Sequence, residues 1–188
     1  MRQIVIVVIL SLISTLSWGH EPNEAYFVIK NSRNSIEVEA EFPWTIRNAL
    51  LKYDKSLENA TTKEAFEEVL FSYVKEKLVF FDHEKNQLKL LSIKELPRTG
   101  HGHGSRFLIA YQEGNYQKVK NELMFDLYDN QQNHHELITS ESITKNYSTT
   151  KNNPIFELKV KSNKGLIWGI IGATLFVGFI IIIVRKTL

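Results

Sequence analysis

TTKEAFEEVLFSYVKEKLVFFD, residues 61–82, carries two hydrophobic periods in one uninterrupted run. Phe66, Val69, Leu70, Tyr73, Val74 and Leu78 recur at steps of three and four, which is one face of a helix. Thr61 and Glu64 have the spacing of a capping box, so a helix is predicted from Thr62 to about Lys77, with Phe66 and Tyr73 as core anchors. From Leu78 the pattern collapses into a short apolar run of strand length, closed by the polar turn 83–86. A helix running straight into a strand places both element types in one domain. The fold class is therefore α+β.

Working outward, residues 24–30 are β-rich and 31–35 form a polar turn. In 36–42, Ile36, Val38, Ala40 and Phe42 alternate with Glu37, Glu39 and Glu41, the pattern of a strand with one wet face. A hairpin is predicted, ended by Pro43 and followed by a short helix over 45–53 with Leu50 and Leu51 facing inward. Segments 78–82, 87–96, 106–112, 117–128, 135–140 and 155–160 read as strands. Short spacing predicts antiparallel pairing, in a mainly antiparallel, sandwich-like domain with an inserted amphipathic helix. Residues 142–153 read as a loose loop or a poor edge strand.

The two ends are apolar. Residues 165–184 contain no charge and a single hydroxyl, Thr174, and are followed by Arg185 and Lys186. Twenty residues make a helix of about 30 Å, enough to cross a bilayer core. At the other end, Arg2, the apolar run 4–13 and Ser17-Trp18-Gly19 have the layout of a cleavable secretory signal. The expected organisation is a signal peptide (1–19), an extracytoplasmic domain (20–160), a stalk (161–164), a transmembrane helix (165–184) and a cytoplasmic tail (185–188). That is a single-pass protein of a bacterial cytoplasmic membrane, with its domain on the periplasmic side.

The formal charge of +2 belongs to the ends: without Arg2, Arg185 and Lys186 it becomes −1. No excess positive field remains to attract nucleic acid. The chain has no cysteine, which excludes disulfides and thiolate metal sites. Histidine is the residue type with a suggestive distribution. Cleavage after Gly19 would make His20 the mature amino terminus, where amine and imidazole chelate Cu²⁺ or Ni²⁺ well. His101 and His103 sit between Gly100, Gly102 and Gly104, so both imidazoles could swing toward one ion. The alternative is a flexible hairpin loop with exposed histidines. The neighbours His134 and His135 point to opposite faces of a strand and cannot share an ion.

Gly-x-Ser-x-Gly, HExxH and phosphate-cradling glycine loops do not occur. Asp126, Asp129 and His134 precede Ser140, but closeness in sequence across strands makes no triad. The expected role is non-catalytic: a binding or interaction domain with the bilayer and an envelope protein as partners. The alternative is a Cu- or Ni-binding accessory protein using His20, His101 and His103.

FDLYDNQQN, residues 125–133, resembles a late strand motif, FDLFPEQQN, of an exported bacterial domain family of unknown function. That family begins its mature chain at a histidine and continues through a strand hairpin and an amphipathic helix ending in a strand. The similarity spans 20–140 and includes 64–80. More distantly, the layout is similar to the exported amino-terminal region of HupE/UreJ-type membrane proteins, associated with hydrogenase and urease accessory functions and with nickel or cobalt handling. That larger family has several membrane helices, whereas one is expected here. The resemblance implies a fold and a location, and carries over no catalytic residue.

Overall fold

A computed structural model describes residues 23–97, 104–139 and 144–158 of the chain. The predicted signal peptide, stalk, membrane span and tail lie outside them. Among the described residues no helix is long and apolar enough to cross a membrane.

The first hairpin forms as its alternation predicts. Strands β1 (Glu24–Asn31) and β2 (Ser35–Phe42) pair antiparallel, with Ser32 N–H donating to Ser35 O at 2.9 Å across the turn. Ile36, Val38, Ala40 and Phe42 are buried, and the intervening glutamates are half-buried on the other face. Helix α1 (Ile46–Tyr53) buries Ile46, Ala49 and Leu50, whereas Leu51 is only half-buried. A 3-10 turn, Lys55–Asn59, leads to helix α2 (Lys63–Lys77). Its cap is Thr62, whose Oγ1 accepts from Ala65 N–H at 3.3 Å. The box predicted on Thr61 is thus displaced by one residue. Glu64 falls at the second helical position, where it favours the helix dipole but cannot reach back to close a box.

Seven strands follow: β3 (Leu78–Asp82), β4 (Leu90–Glu95), β5 (Ser105–Gln112), β6 (Tyr116–Asn121), β7 (Gln132–Ile138), β8 (Thr144–Thr150) and β9 (Ile155–Glu157). They build a six-stranded sheet, β4-β5-β2-β1-β7-β8, and a three-stranded sheet, β3-β6-β9. The class is α+β with mainly antiparallel strands. One pairing departs from the antiparallel expectation: β1 and β7 run parallel, from Glu24 opposite Gln132 to Lys30 opposite Ile138. Hairpin logic governs strands joined by a short turn. Here both helices and five strands intervene, long enough for a crossover that returns the chain in the same direction.

Two further expectations are corrected. The strand expected over 117–128 stops at Asn121. Leu123, Met124 and Phe125 are buried by folding inward, and Met124 takes φ 65°. The strand expected at 135–140 begins earlier, at Gln132, so Gln132 and Asn133 belong to the sheet. The polar stretch read as a loop or poor strand does supply an edge strand, β8.

Phe27, Ile29, Val38, Ile109 and Tyr111 are buried on one face of the large sheet, and Tyr111 meets the small sheet. Tyr111 O–H donates to Leu78 O at 2.7 Å, and its ring lies 4.6 Å from Phe80. Each such fully buried aromatic contributes roughly 1.5–3 kcal/mol. Further along, Phe156 of β9 sits 4.8 Å from the His135 ring of β7.

Candidate functional site

His20, His101 and His103 lie outside the described residues, so their predicted grouping is neither formed nor broken here. Among the described residues, no cluster of three His, Asp or Glu side chains is placed to hold a metal ion. His83 is exposed in the β3–β4 turn. His134 and His135 divide between the faces of β7, as strand geometry requires. His134 stacks on Tyr26 at 5.1 Å and lies 3.8 Å from Glu24 on the outer face. Tyr26 donates to Glu24 at 2.5 Å, and that bond pushes its hydroxyl up to about 12. Asp126 contacts Tyr73 in the helical layer, on the other side of the large sheet from His134. They form no triad.

His135 faces inward, stacked on Phe27 at 5.1 Å. Burial pushes its pKa down to about 3, so the ring is neutral at physiological pH. Its Nε2 lies 2.9 Å from Asn121 Nδ2. The amide is the donor in that contact, so Nε2 accepts and the ring proton resides on Nδ1, which is buried.

Around this pair lies a buried amide cluster absent from the expected site residues. Asn121 Oδ1 accepts from Leu123 N–H at 3.0 Å and from Asn133 Nδ2 at 3.1 Å. Asn133 Nδ2 also donates to Leu123 O at 3.1 Å, and its Oδ1 accepts from Gln131 Nε2 at 3.0 Å. Thr149 Oγ1 donates to Asn121 O at 3.1 Å. The side chains of Asn121, Gln131, Asn133 and Thr149 are all fully buried. These bonds explain why β6 ends where it does: Asn121 captures the Leu123 amide and turns the chain inward.

The turn so formed walls an open cleft of about 660 Å³, lined by Lys52, Tyr53, Lys77, Glu122, Phe125, Asp126 and Lys151. Tyr73 O–H, under the cleft, accepts from Met124 N–H at 2.8 Å and lies 3.5 Å from Asp126 Oδ2. Burial raises the Tyr73 hydroxyl above its ordinary range. Lys52 donates to Asp126 O, and Lys77 sits 3.9 Å from Asp126 and 3.2 Å from Glu76. Tyr53 O–H donates to Glu76 at 3.0 Å, which holds the Glu76 carboxyl below its usual range. Lys151 reaches Asp129 at 2.7 Å and lowers that carboxyl likewise. Three ammonium groups from three separate elements therefore surround two carboxylates and a Phe125 wall. Such a lining can hold an anionic group on an apolar body through charge-assisted hydrogen bonds.

One signal for the amide cluster exists in the sequence. Gln131, Asn133, His135 and Leu137 alternate in phase, so the polar side chains share a face with a core leucine. The lysines come from α1, α2 and the β8–β9 turn, and nothing local links them. No protein-family model matches the chain, and no curated protein matches it significantly.

Proposed function

We propose that the chain is a single-pass protein of a bacterial envelope that displays a non-catalytic binding domain outside the cytoplasmic membrane. The domain is sandwich-like, with two sheets face to face, and is held by the helix at 165–184. Support for the anchor comes from the uncharged run before Arg185 and Lys186; support for export comes from the signal layout at 1–19. The observation that carries a binding role is the cleft itself, with Lys52, Lys77 and Lys151 around Phe125. The string resembling the exported domain family supplies both the wall, Phe125 and Asp126, and the buried cluster beneath it, Gln131 and Asn133. A small anion with an apolar body fits this lining.

Calorimetric titration of the full chain in nanodiscs with benzoate and with inorganic phosphate tests the cleft. Saturable binding of benzoate, weakened at least tenfold by Lys52→Ala with Lys151→Ala, is expected. Affinity unchanged by the double substitution removes the cleft from the reading.

A second reading, a Cu²⁺- or Ni²⁺-binding accessory role for His20, His101 and His103, is favoured by one feature of the register. Tyr26 of β1 and Arg106 of β5 both face Glu41. The segments carrying the histidines thus join the sheet at the same end, two strand spacings or roughly 10 Å apart. Metal titration of protein with a native His20 terminus should show binding that falls as pH drops through about 6.5 and weakens in His101→Ala/His103→Ala. Binding indifferent to both changes excludes this reading.

A further inference from the structure

A second groove runs between α2 and β4, sharing no residue with the lysine-lined cleft. It measures about 450 Å³ and continues past Phe66 into a neighbouring depression of about 440 Å³ bordered by Leu51, Leu57 and Ala60. Its floor is apolar: Phe66, Phe71 and Ile93 are half-buried, and Leu91 is 49% exposed. β4 ends the order of the six-stranded sheet, so no strand pairs with its outer edge among the described residues. The β4–β5 register slips between Leu90 and Ser92, and Leu91 sits at that irregularity.

The rim is mainly acidic. Glu64, Glu67, Glu68 and Glu95 line the groove with Lys63 as its basic member. Lys63 lies 3.2 Å from Glu67 and 3.6 Å from Glu95. Glu64 and Glu68 make no ion pair among the described residues and stand on the exposed side of α2. An apolar floor under an acidic rim, beside an unpaired strand edge, is a surface for an extended peptide. The backbone would pair with the edge, one set of alternate side chains would enter the groove and the other set would meet the rim.

We propose that this groove docks an extended segment of a partner protein in which apolar residues alternate with Lys or Arg, added as a strand to the β4 edge. A second copy of the chain is disfavoured because it would bring the same glutamates face to face. An anionic lipid surface is disfavoured for the same reason.

The test uses the full chain in nanodiscs and a fluorescein-labelled peptide, KVKVKVK, followed by anisotropy. Saturable binding is expected, weakening as salt rises, with no binding of the matched peptide EVEVEVE. Leu91→Lys should weaken it at least tenfold by placing a charge on the floor. Glu64→Lys with Glu68→Lys should weaken it similarly by reversing the rim. All three positions are exposed, so circular dichroism should confirm an intact fold. Equal binding of the two peptides, or affinity unchanged in both variants, overturns the proposal. So does self-association without peptide that Leu91→Lys abolishes, which would assign the groove to a second copy.

Discussion

The cleft beside the β6–β7 connection and the groove between α2 and β4 flank the same helical layer, yet they are held open by different forces. The cleft stands on buried amides that are bonded to one another and to the turn they shape: Asn121, Gln131 and Asn133. The groove stands on packing, with Val69, Leu70 and Phe107 buried behind half-covered Phe66 and Ile93. Hydrogen bonds are directional, and a partner left alone in the interior keeps its full desolvation cost. Apolar contact is not directional, so a rim can change while the floor persists. The cleft should therefore be rigid and intolerant from beneath, and the groove tolerant at its surface.

The largest effect that would break this contrast lies in α2. Val69→Asp buries an unpaired charge in the helix's apolar face and should unfold the domain outright. Asn121→Leu, under the cleft, strands Leu123 N–H and His135 Nε2 and takes one bond from the Asn133 amide. It should cost about 3 kcal/mol or more. Leu91→Lys, on the groove floor but exposed, should stay within about 0.5 kcal/mol. Urea unfolding of the three variants measures all of this. An Asn121→Leu protein as stable as the parent would mean that the cluster holds nothing in place.

A smaller effect sharpens the polar side. His135 has its folded pKa near 3, below the ordinary 6.5, so the unfolded chain takes up this proton first. The stability it contributes is complete above about pH 6.5 and declines as pH falls toward 3, by up to about 1.4 kcal/mol per pH unit. Glu76 and Asp129, held below their usual range, lose their contributions only at lower pH. A loss of about 2 kcal/mol between pH 6.5 and 5 is therefore expected from His135, and His135→Asn should flatten it. A parent profile already flat across that window would place the imidazole in contact with water.

The amphipathic helix was legible because its evidence is contiguous: one turn of α2 reports the face of the next. The β1–β2 hairpin was legible for the same reason, as was the division of His134 and His135 between faces. The helix cap was misjudged by one residue because Thr61 and Thr62 are chemically equivalent, and only the path of the incoming chain selects between them. β6 was drawn too long because Leu123, Met124 and Phe125 look like strand residues. Their burial comes from a turn pinned by Asn121 and by the Tyr73 hydroxyl, which accepts from Met124 N–H 51 residues away.

Local pattern thus determined where helix and hairpin form, since propensity and periodicity act between residues a few positions apart. Tertiary structure alone decided that β7 lies parallel to β1, that Asn121 meets Asn133 and His135, and that Lys52, Lys77 and Lys151 gather around Phe125. Those outcomes depend on which distant segments bury each other's apolar faces while satisfying each other's polar groups. That condition is met over the whole folded chain at once and leaves little trace in any single stretch of it.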